Sequence, residues 1–208
     1  MALWSHRVRA GETVYQIALD YNSSVPDIVR ASGLPDANWV LPGQNLLVPS
    51  PDFAYSAAEL HAWAKLLYVA YAAPLSELTA ITQYEYQQVV WDDLEAKNVL
   101  ARITRDEREH LNTLAQILKN LGYEPRYWIM DDAPVYWDAC LIDYTPDPAA
   151  ILAADIRSEQ HAVNAYQQVL TQIPERFIRK RIAHILHEEL AHIKEFERLL
   201  GRLTASSR

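Results

Sequence analysis

The 208-residue chain has one cysteine, no long apolar run and a shortage of basic charge. A single cysteine, Cys140, allows no intramolecular disulfide, so the fold cannot depend on an oxidising compartment. On its own it reads as a small buried hydrophobe. No stretch of 18 apolar residues occurs, so no helix spanning a membrane is expected. The opening residues Met1 to Arg7 lack the apolar segment of a secretory signal, and synthesis in the cytoplasm without a signal peptide is expected. There are 19 Lys and Arg against 27 Asp and Glu, a net charge of -8. That balance argues against a nucleic-acid partner, which a basic face would serve. Half of the residues are hydrophobic, ample for a packed core.

Two regions of different grammar follow one another. In residues 6 to 49 the signals are short and breakers frequent. Val8 between two arginines suggests a strand. Thr13 is an expected helix N-cap before Val14, Ile17 and Ala18. Ser24 with Asp27 is a second start signal. Pro42-Gly43 is a turn, and Leu46 to Val48 a closing strand ended by Pro49. The expected order is strand, helix, helix, strand.

The stretch from Val8 to Ala18 and the ending from Leu41 to Pro49 resemble LysM modules. The resemblance implies a small βααβ fold binding N-acetylglucosamine polymers such as peptidoglycan. Sugar would lie between Gly11, Glu12, Thr13 and Val14 on one side and Asn38, Trp39, Val40, Leu41 and Pro42 on the other. A LysM fold serving only to dock another protein is the alternative, since a fold does not guarantee its usual function. The expected module covers residues 1–52, with a short connection at 50–55.

Residues 53–208 read as helical almost throughout. A first helix spans Ser56 to Tyr71, and Pro74 suits the first position of a second running to Trp91. Asp92 with Glu95 opens a third, closed by Gly122. Residues 123 to 146 form a long connection rich in Pro, Tyr, Trp and Asp. Asp147-Pro148 starts a helix to Gln172, and Pro174 a last one ending near Gly201. Two helical hairpins joined by one crossover, with an extra helix before them, make the expected fold class mostly α: a four-helix bundle behind the βααβ module.

The two hairpins repeat. Glu77 and Tyr84 parallel Glu159 and Tyr166, and Glu107 and His110 parallel Glu189 and His192. The offset is constant, since 159-77, 189-107 and 192-110 all equal 82. Residues three apart on a helix share a face, so each Glu-x-x-His aims a carboxylate and an imidazole at one point. The companion helices add a carboxylate each. Four converging negative charges inside a bundle would be prohibitive without cations, and two divalent ions would neutralise them. This donor set resembles that of ferritin-like di-iron and di-manganese proteins. Asp106 and Glu188, also 82 apart, could each reach the histidine of the opposite motif. Tyr84 and Tyr166 could hydrogen-bond a terminal carboxylate. His61, His161, His184 and His187 lack symmetric placement and read as non-ligands.

Residues 72 to 203 thus resemble the rubrerythrin, bacterioferritin and manganese-catalase branch of the ferritin-like superfamily. By that resemblance Glu77 and Glu159 are terminal ligands, Glu107 and Glu189 bridge, and His110 and His192 each bind one of two iron or manganese ions. The implied function is a peroxidase- or catalase-like oxidoreductase acting on hydrogen peroxide or oxygen, with ferroxidase activity as a variant. Relatives that run as peroxidases often carry a rubredoxin-like centre built on paired cysteines; with Cys140 alone, an external electron donor or disproportionation is expected. Storage of iron would need a hollow shell that the module and extra helix obstruct. The contrasting reading is a LysM-anchored structural or spore-coat-associated protein whose metal site is structural or vestigial. Spore or cell-wall association and a homodimer complete the expectations.

Overall fold

The computed structural model describes residues 2–50, 55–130 and 134–206. The expected module boundary at residues 52 and 53 lies outside the described residues.

The N-terminal module pairs strand β1 (Ala2–Arg7) antiparallel with β2 (Asn45–Ser50), with Trp4 opposite Val48 and His6 opposite Leu46. Successive side chains of a strand point to opposite faces. Trp4, His6, Leu46 and Val48 are accordingly buried, while Leu3, Arg7 and Leu47 face outward. Helices α1 (Val14–Asp20) and α2 (Val25–Ser32) cover the inner face with Val14, Ile17, Ala18 and Ile28. Their N-caps are Thr13, accepting from the Gln16 amide, and Ser24, accepting from the Asp27 amide. Val8 lies just past the strand it was expected to form, and its amide and carbonyl bond the Gln44 carbonyl and Gly43 amide. Gly43 takes φ +87°, a left-handed conformation that glycine adopts without the steric penalty of a side chain.

The rest is helical. An outer helix α3 (Ala57–Ala72) is followed by α4 (Glu77–Val90) and α5 (Leu94–Asn120), the first hairpin. Helices α6 (Pro148–Gln172) and α7 (Arg176–Ser206) form the second. The expected starts shift where local chemistry decides. Pro74 sits in a turn, and Ser76 precedes the first residue of α4. Asp93 rather than Asp92 caps α5, accepting from the Ala96 amide. Pro174 precedes a helix that begins at Arg176 and runs through Gly201, whose lack of a side chain does not end a helix.

The crossover from 123 to 146 is irregular, with two-residue strands β3 (Trp128–Ile129) and β4 (Val135–Tyr136) and a 3-10 turn at Ala139–Leu141. It is tied down by side chains. Tyr68 and Tyr71 of α3 donate to the carbonyls of Glu124 and Pro125, and the Gln83 side chain bonds the backbone of Asp143 in both directions. Cys140 is exposed on the 3-10 turn, not buried as expected, because the crossover lies on the surface of the bundle.

The module docks on the bundle. Phe177 of α7 stacks on Tyr21 with centroids 3.9 Å apart and tilts against Trp4 at 5.8 Å. Lys180 Nζ lies 2.6 Å from Asp20 Oδ2, and the Ser5 amide donates to Asn120 at 3.4 Å. One buried apolar cluster therefore runs from Trp4 and Ile28 through Tyr68 to Ile178.

Candidate metal centre

The four bundle helices converge on one point. Helix α4 brings Glu77, α5 brings Glu107 and His110, α6 brings Glu159, and α7 brings Glu189 and His192. None of the six is more than 4% exposed, so water cannot balance their charge. They fall into two groups, Glu77, Glu107, His110 and Glu189, and Glu107, Glu159, Glu189 and His192. In each group one donor atom per residue lies within 4.8 Å of all the others, and Glu107 and Glu189 belong to both. His110 Nδ1 is 3.0 Å from Glu189 Oε1 and 3.2 Å from Glu107 Oε2; His192 Nδ1 is 2.9 Å from Glu107 Oε1 and 3.4 Å from Glu189 Oε2. The two rings lie 5.8 Å apart.

The electrostatics express the crowding. Burial, and then repulsion from Glu107 and Glu189, pushes Glu77 and Glu159 well above the usual carboxylate range. Burial works against ionising Glu107 too, but contacts with Glu77, His110 and His192 outweigh it and hold it low. Burial would lower both histidines, yet the facing carboxylates drive them up. Such a cluster needs positive charge from some source, protons or cations.

Hydrogen bonding among its own members does not satisfy it. Glu107 Oε1, both carboxylate oxygens of Glu189 and both ring nitrogens of His192 are buried without a hydrogen-bond partner. His192 Nδ1 and Glu107 Oε1 approach to 2.9 Å and still lack hydrogen-bond geometry. Lone pairs facing one another across a shared space suit donors to a common cation, because an unsatisfied buried polar atom is otherwise costly. The cluster fits a di-metal site.

The surrounding contacts cross between the repeats. The Tyr84 hydroxyl donates to Glu159 Oε1 and the Tyr166 hydroxyl to Glu77 Oε1, each reaching the other half. His110 Nε2 lies 2.9 Å from Glu188 Oε2, whereas His192 Nε2 stands 3.5 Å from Asp106 Oδ2. Of the histidines read as non-ligands, His184 stands 3.5 Å from Glu188 Oε1 at the surface.

Two buried acids lie outside the sequence reading, Asp155 and Glu175, the latter accepting from the Ile178 amide at the start of α7. Asp155 on α6 accepts from Gln87 Nε2 with both carboxylate oxygens, at 3.0 and 2.9 Å. It lies one turn before Glu159, a spacing that could have revealed it. The repeat conceals it, since 155-82 is 73, an alanine.

The residues expected to hold sugar are spread over different environments. Trp39 and Leu41 are exposed, at 72% and 71%. Val14 is in the core, and Val40 packs against it. Thr13 is engaged as the N-cap of α1, and Glu12 bonds His6 Nε2 and the Arg9 amide. Gly11, Asn38 and Pro42 lie in the loops around them, with Asn38 bonded to Asp36.

Comparison with known proteins agrees with both halves of this description. A model of the LysM domain matches residues 6–49. A probable manganese catalase of Clostridium acetobutylicum is 25% identical to 61% of this chain, which spans 65% of that relative, just under two thirds of its length. A manganese catalase from Anabaena superposes with a TM-score of 0.64 at 21% identity, over 75% of this chain and 78% of the other. The Desulfovibrio desulfuricans bacterioferritin, solved with its diiron site, gives 0.55 at 24%, over 71% and 83%. Residues 6–49 are thus a LysM domain, and the helices behind it share the ferritin-like fold of manganese catalases and bacterioferritins.

Proposed function

We propose that the protein is a non-haem oxidoreductase acting on hydrogen peroxide, disproportionating or reducing it at a pair of manganese or iron ions, and that its LysM domain holds it on peptidoglycan. The chain divides in this reading into an addressing part, 1–52, and a catalytic part, 53–208. The observation that carries the reading is the pair of donor groups sharing Glu107 and Glu189. Four carboxylates with one nitrogen for each ion suit iron or manganese better than copper or structural zinc. Glu77 and His110 would hold one ion, Glu159 and His192 the other, with Glu107 and Glu189 between them. Two such ions would supply the two electrons that peroxide chemistry exchanges.

The remaining residues prepare that site. Glu188 accepts the Nε2 proton of His110, so Nδ1, which faces the carboxylates, is the ring atom that would give up its proton to a bound cation. Tyr84 and Tyr166 hold the outer glutamates by one oxygen each. The manganese-catalase relatives support peroxide as substrate. Cys140 stands alone, so a peroxidase cycle would draw electrons from an external donor, while disproportionation needs none. The exposed Trp39 and Leu41, apolar side chains open to a ligand, support sugar binding, and with it cell-wall or spore association.

Oxygen release from hydrogen peroxide by the full chain, loaded separately with manganese and iron, tests the proposal. Turnover that falls to background in Glu107→Ala supports it. A fully loaded protein that turns over neither peroxide, oxygen nor ferrous ion would leave a LysM-anchored structural protein in its place.

A further inference from the structure

A cleft of about 770 Å³ opens between the LysM domain and the bundle. Arg7, Arg9 and Pro42 line it from one side, and Lys119, Arg181 and Glu109 from the other. Four cations against one carboxylate give the lining a charge of 4-1, or +3, in a chain whose net charge is -8. His6, which also lines it, is held below its ordinary pKa chiefly by burial and adds no positive charge at neutral pH.

These cations are not spent on internal ion pairs. Among the described residues, none of Arg7, Arg9, Lys119 and Arg181 has a carboxylate oxygen within 4.0 Å. Elsewhere among the described residues Arg102, Arg108, Arg126, Lys180, Arg198 and Arg202 are paired, and the other unpaired cations, such as Lys97, Arg157 and Lys194, do not line the cleft. Glu12 is already bonded to His6 and the Arg9 amide. Arg181 is half-buried over the Phe177 ring at 5.1 Å, with Nη2 3.4 Å from His6 Nδ1. Burial and then Arg9 disfavour its charge, while Tyr21, Glu12 and Asp20 favour it from a distance without pairing with it. Guanidinium groups keep their charge in such surroundings, so an anion in the cleft would be attracted by both arginines.

The cleft adjoins the loops assigned above to sugar: Pro42 lines it and belongs to one of them, and Arg9 and Ala10 line it just before the other, Gly11 to Val14. A glycan held by those loops would lie next to the cleft.

We infer that the cleft between the LysM domain and the bundle binds carboxylate-bearing substituents of the glycan held in the adjoining groove. The inference rests on the sugar-binding reading of that groove. The bundle then contributes to ligand selection, and glycans with free acidic side groups are preferred over neutral ones. Fork-shaped guanidinium groups suit this task because they hold a carboxylate by two parallel hydrogen bonds.

Calorimetric titration of the full chain tests it, using an N-acetylglucosamine-containing oligosaccharide with a short peptide bearing free carboxylates and the same oligosaccharide without the peptide. The expected result is about tenfold tighter binding of the acidic ligand, an advantage that high salt removes. Arg9→Ala and Lys119→Glu alter exposed side chains and should reduce that advantage without changing affinity for the neutral ligand; Arg181→Gln should abolish it. Equal affinity for the two ligands would overturn the cleft and leave the groove standing. Binding of neither would overturn both.

Discussion

Tyr84 on α4 donates its hydroxyl to Glu159 on α6, so the first half of the repeat holds a carboxylate of the second. Tyr166 returns the contact to Glu77. The repeat is therefore interlocked at the centre of the bundle. Each tyrosine is fully buried, and burial first, then the neighbouring acids, keeps its hydroxyl protonated and available as a donor.

Tyr84→Phe removes that donor and leaves a Glu159 oxygen buried without it. The expected loss is about 1–3 kcal/mol in urea denaturation of the metal-loaded protein, with Tyr166→Phe behaving alike. Unchanged midpoints in both variants would mean that the hydroxyls contribute nothing to holding the glutamates.

Asp155 is pushed from an ordinary 3.8 up to about 8, mainly by burial, with the Gln87 bonds opposing. The folded chain therefore holds this proton more tightly than the unfolded chain. The group costs no stability below about pH 4, costs progressively more as pH rises toward 8, and a constant amount above. Asp155→Asn removes that cost and offers an amide donor to Gln87 Oε1, which has no partner. The variant is expected to be more stable by an amount that grows between pH 4 and pH 8, on the order of a few kcal/mol at the upper end. A gain that does not vary with pH would contradict the shifted acid.

Glu188 and Asp106 are equivalent in the repeat but not in space. Glu188 hydrogen-bonds His110 at 2.9 Å; Asp106 stands 3.5 Å from His192 without a bond. Glu188→Ala should weaken metal affinity by about 10- to 100-fold, as loss of a carboxylate behind a ligating histidine does. Asp106→Ala should cost less. Competition with a chelator measures both, and equal losses would show that the two sides are held alike.

The sequence and the structure agree most where chemistry repeats. One offset singles out Glu77, Glu107, His110, Glu159, Glu189 and His192, and the structure brings them together, because a fixed spacing on amphipathic helices carries over into a shared face. The helix ends were less legible. Asp92 and Asp93 are both good caps, and only backbone geometry chooses Asp93. The exposure of Cys140 is not legible in the sequence, because composition does not show that the crossover stays on the surface. The stacking of Phe177 on Tyr21, and the cleft beside it, join residues about 156 positions apart (177-21) and leave no local trace. Phe177→Ala should separate one unfolding transition into two, at a cost of about 3–5 kcal/mol, as read by calorimetry; a single unshifted transition would show that the module and bundle do not support one another.

The central claim is a pair of ions held by shared glutamates, and metal content tests it most directly. Elemental mass spectrometry of protein purified without added metal, beside a Glu107→Ala/His192→Ala variant, is the measurement. Close to two manganese or iron atoms per chain, lost in the variant, is the result the shared glutamates predict. No bound metal, even after anaerobic loading with manganous or ferrous ion, would contradict it.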